Sequence, residues 1–301
     1  MTDIEVPTFP ARDGKLWLSG PVTLVDGKLH LLGSSMPVDG RISWYPEADR
    51  GRFVPFNSYL LREGEGILVV EAGVPAVFDQ TARQLRAILG ERCVIDRLAV
   101  TRNEPDCVSN VPRMVREFGL KSVHSPGLMN TLQFFPSDEA ELKERAFDHA
   151  ATELQMLNFG VGCTPSAPGG EVRISHDRAL EVVAAPLKVL PTVWYYDRAA
   201  RTMFCSDSFS DETAVGAETR ILAGVDRQDV LIARFHESFS RKFDWLARSD
   251  LSSVIADLEN IFDRYDIEIL APNRGLVVQG REAVLAKTAA LLAALSELHG
   301  N

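Results

Sequence analysis

Apolar positions fall into short strand-length blocks through the first two-thirds of the chain and switch to helical spacing in the last third. Residues 56–62 and 67–71 are two such blocks. Between them Glu63-Gly64-Glu65-Gly66 supplies glycines able to adopt positive φ, so the pattern predicts a hairpin. A helix is predicted over 78–89, with Leu85, Ile88 and Leu89 on one side and Gly90 as its stop. An apolar strand over 94–100 leads into the polar loop Thr101-Arg102-Asn103-Glu104-Pro105-Asp106-Cys107. A helix over about 110–118 and a short strand over 121–124 follow. Strand, loop and helix in alternation favour a sheet covered by helices.

Ser137-Asp138-Glu139 reads as an N-cap with an acidic first turn, opening a helix to about residue 157 with Leu142, Ala146, Ala150, Leu154 and Leu157 on its inner face. Residues 160–170 are rich in glycine, proline and serine and read as a loop. Strands are predicted at 172–175, 179–185, 192–196 and 202–205, with Asp197-Arg198-Ala199-Ala200 turning the last two into a hairpin. The aromatic run Trp194-Tyr195-Tyr196 is read as strand core. Helical spacing then returns at 234–248, where Phe235, Phe239, Phe243 and Trp245 form an aromatic face for the sandwich or for a second subunit. It returns again at Val254, Leu258, Ile261, Phe262 and Tyr265. One more strand is predicted at 267–270, and a final helix at about 282–298 carries Leu285, Ala289, Leu292 and Leu295. With no repeat and no linker, the pattern describes one α/β domain over 1–301: an αββα sandwich with a core over about 50–280 and a C-terminal helix.

Composition narrows the function. A net charge of −10 disfavours nucleic acid and anionic membranes as partners. The N-terminus Met1-Thr2-Asp3-Ile4-Glu5 lacks the basic start and apolar core of a signal peptide, and no apolar run approaches the roughly 20 residues of a membrane helix. A cytoplasmic location is expected. Cys93, Cys107, Cys163 and Cys205 form no C-x-x-C pair, which removes zinc-ribbon and thioredoxin-like readings; disulfides are not expected, and Cys93 and Cys205 read as buried small hydrophobes.

Four motifs carry the chemistry, each after a predicted strand: the 101–107 loop, Ala185-Pro186-Leu187-Lys188, Met203-Phe204-Cys205-Ser206-Asp207-Ser208-Phe209, and Leu270-Ala271-Pro272-Asn273-Arg274-Gly275. In this order they resemble the metallo-β-lactamase superfamily, in its flavodiiron-type (oxygen-binding diiron protein-like) branch. There the first loop reads His-x-Glu-x-Asp-His, so Glu104 and Asp106 match its carboxylates while Arg102 and Cys107 stand at histidine positions. Ala-Pro leads that branch into a ligand histidine, with Lys188 at or beside it; a one-residue slip puts Val189 there. Asp207 matches the metal-bridging aspartate of Leu-Phe-Ser-x-Asp-x-Phe, and Arg274 replaces the histidine of Ile-Ala-Pro-Ser-His-Gly. The resemblance covers residues 56–275 and implies a metallo-β-lactamase-like sandwich of two mixed sheets flanked by helices. It also implies a homodimer. The flavodoxin-like domain usual in that branch is not expected, because the chain ends at Asn301.

The resemblance places a pocket at Arg102, Glu104, Asp106, Cys107, Lys188, Asp207 and Arg274. Its carboxylates are kept and its imidazoles replaced mostly by cations, which supply the positive charge that metals otherwise bring. Three readings follow. In the first the site is degenerate, holds no metal or other cofactor, and binds a small molecule or anion or serves as a scaffold. In the second, Glu104, Asp106, Cys107 and Asp207 hold a nonstandard iron or zinc for a hydrolase or an oxidoreductase, the latter with a separate redox partner. In the third, Cys107 is catalytic, its thiolate favoured by a helix N-terminus and by Arg102; a buried inert thiol is the competing reading. The histidines His30, His149, His176, His236 and His299 lie outside the motifs, and His124 is the one spare candidate for the pocket.

Overall fold

The computed structural model describes residues 10–11, 14–15, 20–40, 45–127, 161–222, 224 and 226–299. A two-strand ribbon, β1 (Pro10–Ala11) and β2 (Gly14–Lys15), comes first. Two seven-stranded sheets then build the sandwich. The first runs in chain order through β3 (Val22–Val25), β4 (Leu29–Pro37), β5 (Phe53–Glu63), β6 (Gly66–Val70), β7 (Arg97–Ala99), β8 (Ser122–Pro126) and β9 (Gly162–Ser166). Its pairs are antiparallel to β6 and parallel from there to β9. Parallel pairing needs a crossover. Helix α1 (Phe78–Leu89) lies between β6 and β7; the single turn α2 (Pro105–Val108) and α3 (Val111–Phe118) lie between β7 and β8. The second sheet comprises β10 (Glu171–Arg173), β11 (Ala179–Ala184), β12 (Val193–Asp197), β13 (Thr202–Phe204), β14 (Ile221–Leu222), β15 (Ile269–Ala271) and β16 (Val277–Gln279), in the order β10-β11-β12-β13-β15-β16-β14. It is covered by α4 (Gln228–Lys242), α5 (Ser252–Arg264) and α6 (Arg281–His299).

The layering follows from period-two alternation along the strands. Tyr59 and Leu61 on β5 and Leu68 and Val70 on β6 face the second sheet, where Val182, Tyr195, Phe204 and Val277 meet them. Their neighbours Leu60, Val69 and Leu98 face outward onto Phe78, Leu85, Met114 and Phe118 of the covering helices. On the far side Trp194, Met203 and Leu270 pack against Phe235, Phe239, Leu258 and Leu291. The molecule is an α/β sandwich of two mixed sheets flanked by helices.

Both predicted hairpins form, closing at Glu63↔Gly66 and Asp197↔Thr202, and the helix predicted over 78–89 has those bounds. Three features differ from the pattern. Residues 22–37 form β3 and β4, with Leu29 and Leu31 in the central core; the buried polar run Gly33-Ser34-Ser35 breaks the apolar signal there. Residues 162–166 form β9 although 160–170 read as a loop; the aromatic face of α4 goes to the sandwich, one of its two expected partners, with Phe235, Phe239 and Phe243 buried in its core. The last helix turns Val284, Leu291, Ala294 and Leu295 inward and Leu285 outward. Cys205 is buried as expected, whereas Cys93 is only half-buried; all four cysteines are free thiols. The helix predicted at 137–157 lies outside the described residues. Among the described residues no helix is long and apolar enough to cross a membrane.

Candidate functional site

Three of the four motifs sit just past the ends of β7, β13 and β15, and backbone hydrogen bonds tie them together. The amide of Asn273 donates to Ser206 O at 2.8 Å, that of Cys205 to Ala271 O at 3.2 Å, and that of Val193 to Thr101 O at 2.9 Å. Beneath them Asn57 Nδ2 donates to Pro272 O and Gly275 O, both at 2.9 Å, and Tyr59 OH to Pro272 O at 2.6 Å. Gly275 has φ +89°, and a Cβ there would lie 3.0 Å from Ser210 Cα, so the position calls for glycine. Rigid strands thus deliver the loops that carry the polar groups.

At their meeting point is the buried guanidinium of Arg102. Its Nε is 2.5 Å from Glu104 Oε2, its Nη2 2.5 Å from Asp106 Oδ2, and its Nη1 2.9 Å from Asp207 Oδ1. Nη1 also donates to Ser206 Oγ at 2.7 Å. Arg274 approaches from the other side, with Nη2 3.2 Å from Asp207 Oδ2 and Nε 3.7 Å from Asp106 Oδ2. Asn273 Nδ2 donates to Asp106 Oδ2 at 2.8 Å. One planar fork therefore binds three carboxylates at once, each through its own nitrogen. Burial pushes Asp207 upward, but the charges of Arg102, Lys242 and Arg274 outweigh it and hold the carboxyl well below its ordinary value.

Arg102, Glu104, Asp106, Asp207 and Arg274 are brought together as the motifs implied. Lys188 lines the cavity above them, but it is exposed and among the described residues forms no ion pair. The lysine close behind the cage is Lys242, from the C-terminal end of α4, where nothing in the local sequence tied it to the loops. Asn273, Ser206 and Thr101 were also not foreseen. Beneath the cage Thr101 Oγ1 donates to Glu71 Oε1 at 2.5 Å and lies 2.9 Å from Ser206 Oγ. Glu71 is fully buried. Desolvation raises its carboxyl to about 7, against hydrogen bonds from Thr101 and Cys107 that pull the other way.

Cys107 belongs to this lower layer. Its Sγ accepts from Asn273 Nδ2 at 3.4 Å and lies 3.6 Å from Asp106 Oδ1. Burial, reinforced by Glu71 and Asp106, pushes the thiol well above its ordinary value, against the pull of Arg102. The thiolate that the helix terminus and Arg102 were expected to favour is therefore disfavoured, because two neighbouring acids and desolvation outweigh them. His124 is partly buried on β8 and does not line the cavity above the cage.

That cavity, of about 210 Å³, opens over Arg102 and Asp207. Lys188, Arg241, Lys242 and Arg274 bring further positive charge, Glu104 and Asp207 are its acids, and Val189, Leu190 and Phe243 give one apolar wall. The pocket is smaller than the roughly 300–1,000 Å³ of drug-sized sites, so it suits a small molecule.

Comparison with known proteins places the fold. No protein-family model matches the chain, and no curated protein matches it. Solved structures do. Rubredoxin oxygen:oxidoreductase from Desulfovibrio gigas superposes with a TM-score of 0.64 at 12% identity, over 92% of this chain and 61% of that one. The flavodiiron protein from Giardia intestinalis gives 0.62 at 13% identity, over 94% and 60%. A fragment of a putative diflavin flavoprotein A 5 from Nostoc gives 0.61 at 12% identity, over 94% and 99%. The fold is that of the metallo-β-lactamase-like flavodiiron core. The chain spans about three-fifths of the length of the first two neighbours.

The side chains at this site stand against the iron that the fold implies. Guanidinium nitrogens stand within 2.5–2.9 Å of the carboxylates that would be ligands. The nearby thiol is held protonated, and among the described residues no group of three or more His, Cys, Asp or Glu is arranged to hold a metal ion. A fixed cation in contact with each carboxylate repels a second one. The donor set does not fit an iron centre.

Proposed function

We propose that this protein is a metal-free binder of small anionic molecules, built on the flavodiiron-type fold with its metal-binding carboxylates neutralised by arginine. The observation that carries the reading is the Arg102 guanidinium in contact with Glu104, Asp106 and Asp207, under a cavity whose lining has more cations than acids. Other buried ion pairs of the molecule differ. Arg178 with Asp197, and Lys287 with Asp211 and Glu212, are buried ion pairs away from that cavity. The Arg102 cluster is the one that faces a cavity lined by Lys188, Arg241 and Lys242.

The competing scaffold reading draws on those same pairs, buried ions that this chain holds away from the cavity. Titration calorimetry with sulfate, phosphate and short carboxylates separates the two. Binding that weakens in Lys188→Glu and Arg241→Glu supports the pocket, and absence of binding by all three anions leaves a scaffold. The remaining reading, a nonstandard metal on Glu104, Asp106, Cys107 and Asp207 serving a hydrolase or oxidoreductase, requires Arg102 to leave all three carboxylates.

A further inference from the structure

Among the described residues, buried Lys287 and half-buried Lys242 are held in opposite ways. Lys287 Nζ lies between Asp211 at 2.5 Å and Glu212 at 3.0 Å, its charge fully paired. Lys242 Nζ has no carboxylate within 4 Å among the described residues; it donates to Ser210 Oγ, whose own hydroxyl donates to Asp207 O at 2.7 Å. Its placement is fixed by the helix that carries it, since Phe239 one turn earlier and the adjacent Phe243 are both buried in the core. The amine lines the 210 Å³ cavity together with the two guanidiniums of the cage.

We propose that Lys242 is an imine-forming nucleophile, condensing through Nζ with the carbonyl of a small anionic aldehyde or 2-oxo acid held in the cavity. The inference rests on the anion-binding reading of that cavity and adds a reaction to it. A lysine acts as nucleophile only as the free amine, and desolvation beside other cations is the recognised way to obtain one. Here burial is the largest cause, and Arg274 and Arg102 act with it against Asp207 and Asp211, bringing the ammonium down to about 7. Near neutral pH about half of such a side chain is free amine, against roughly one in a thousand or fewer for an ordinary lysine.

The groups around Nζ suit the rest of the substrate. Lys188 and Arg241 on the rim can take a carboxylate, and Val189, Leu190 and Phe243 a short alkyl chain. In the reaction the nitrogen lone pair forms the C–N bond to the carbonyl carbon, and the proton leaving nitrogen ends on the carbonyl oxygen. A second proton, from solvent, lets that oxygen depart as water while C=N forms. The product is a protonated imine; amine, carbonyl compound and one proton become iminium and water, with no oxidant or reductant.

Pyruvate is the probe. The full chain is incubated with pyruvate and cyanoborohydride, digested and mapped by mass spectrometry, and pyruvate binding without reductant is measured in parallel. One reduced adduct on Lys242, saturating with pyruvate and lowered at least about tenfold in Lys242→Arg while Lys287→Arg retains it, is the expected result. Its formation rate in wild type should rise through a titration near neutrality that the Lys242→Arg protein lacks, after both are shown by thermal melts to be folded. Adducts scattered over surface lysines and unchanged in Lys242→Arg overturn the proposal. Reversible pyruvate binding with no adduct overturns imine formation and leaves the anion pocket standing; no binding and no adduct removes both.

Discussion

Replacing Arg102 by methionine keeps the unbranched apolar stem of the side chain and removes the guanidinium that three carboxylates share. The wild-type contacts are 2.5, 2.5 and 2.9 Å, and after the change only Arg274, at 3.7 and 3.2 Å, still faces Asp106 and Asp207. Glu104 is about one-third exposed and is solvated when released, so it contributes little. Asp106 and Asp207 are much less exposed, and leaving such charges uncompensated costs about 3–5 kcal/mol. For a chain of this size that loss lowers Tm by roughly 6–10 °C.

The pH dependence of that variant follows from Asp207. Its native carboxyl is held below the ordinary 3.8, so its stabilisation is fully present above the unfolded value and is lost as pH falls through the depressed native one. Without Arg102, Asp207 loses the largest of the charges that depress it and takes up a proton more readily. The deficit of Arg102→Met is therefore largest near pH 7.5 and shrinks toward pH 4.5. Thermal melts of both proteins across that range measure it. A deficit below 1 kcal/mol, or one that grows as pH falls, refutes the cage as a source of stability.

Arg274→Ala leaves Asp207 with Arg102 alone and destabilises less than the loss of Arg102, by about 1–3 kcal/mol, read in the same melts; an effect larger than that of Arg102→Met would reverse the ranking of the two arginines. Cys107→Ser should leave the native-state alkylation of the protein unchanged, because the buried thiol is held protonated, with peptide mapping to show label on half-buried Cys93 and Cys163 and none on Cys107. Glu71 has a raised native carboxyl, so its contribution is fully present below about 4.5 and is lost as pH rises toward about 7. Glu71→Gln flattens the stability profile in that window, and an unchanged slope in denaturant titrations contradicts the assignment.

The sandwich was legible because each of its signals is local. A glycine turn between two apolar blocks becomes the β5–β6 hairpin, and 78–89 carries its own period and stop. The carboxylates and arginines were legible for the same reason, since each lies in a loop directly after a strand. What escaped depends on contacts between distant parts of the chain. Strand β4 buries Ser34 and Ser35 on faces that the alternation marked as polar, their environment being set by neighbouring elements. Lys188 lines the cavity without a carboxylate partner among the described residues, while Lys242 reaches the same cavity from a helix whose aromatic face gave no hint of it. Sequence implied three cations facing three carboxylates; the fold presses two arginines against them and leaves a lysine nearby without a carboxylate partner.

A metal-free site requires that arginine alone neutralise these carboxylates. Elemental analysis of the full chain, purified without chelator and after incubation with iron and zinc, tests it most directly. Iron, zinc and manganese well below one equivalent in both samples, and a Tm unmoved by added metal, are the expected result. Near-stoichiometric metal that is lost when Asp106 and Asp207 are changed to asparagine would contradict it.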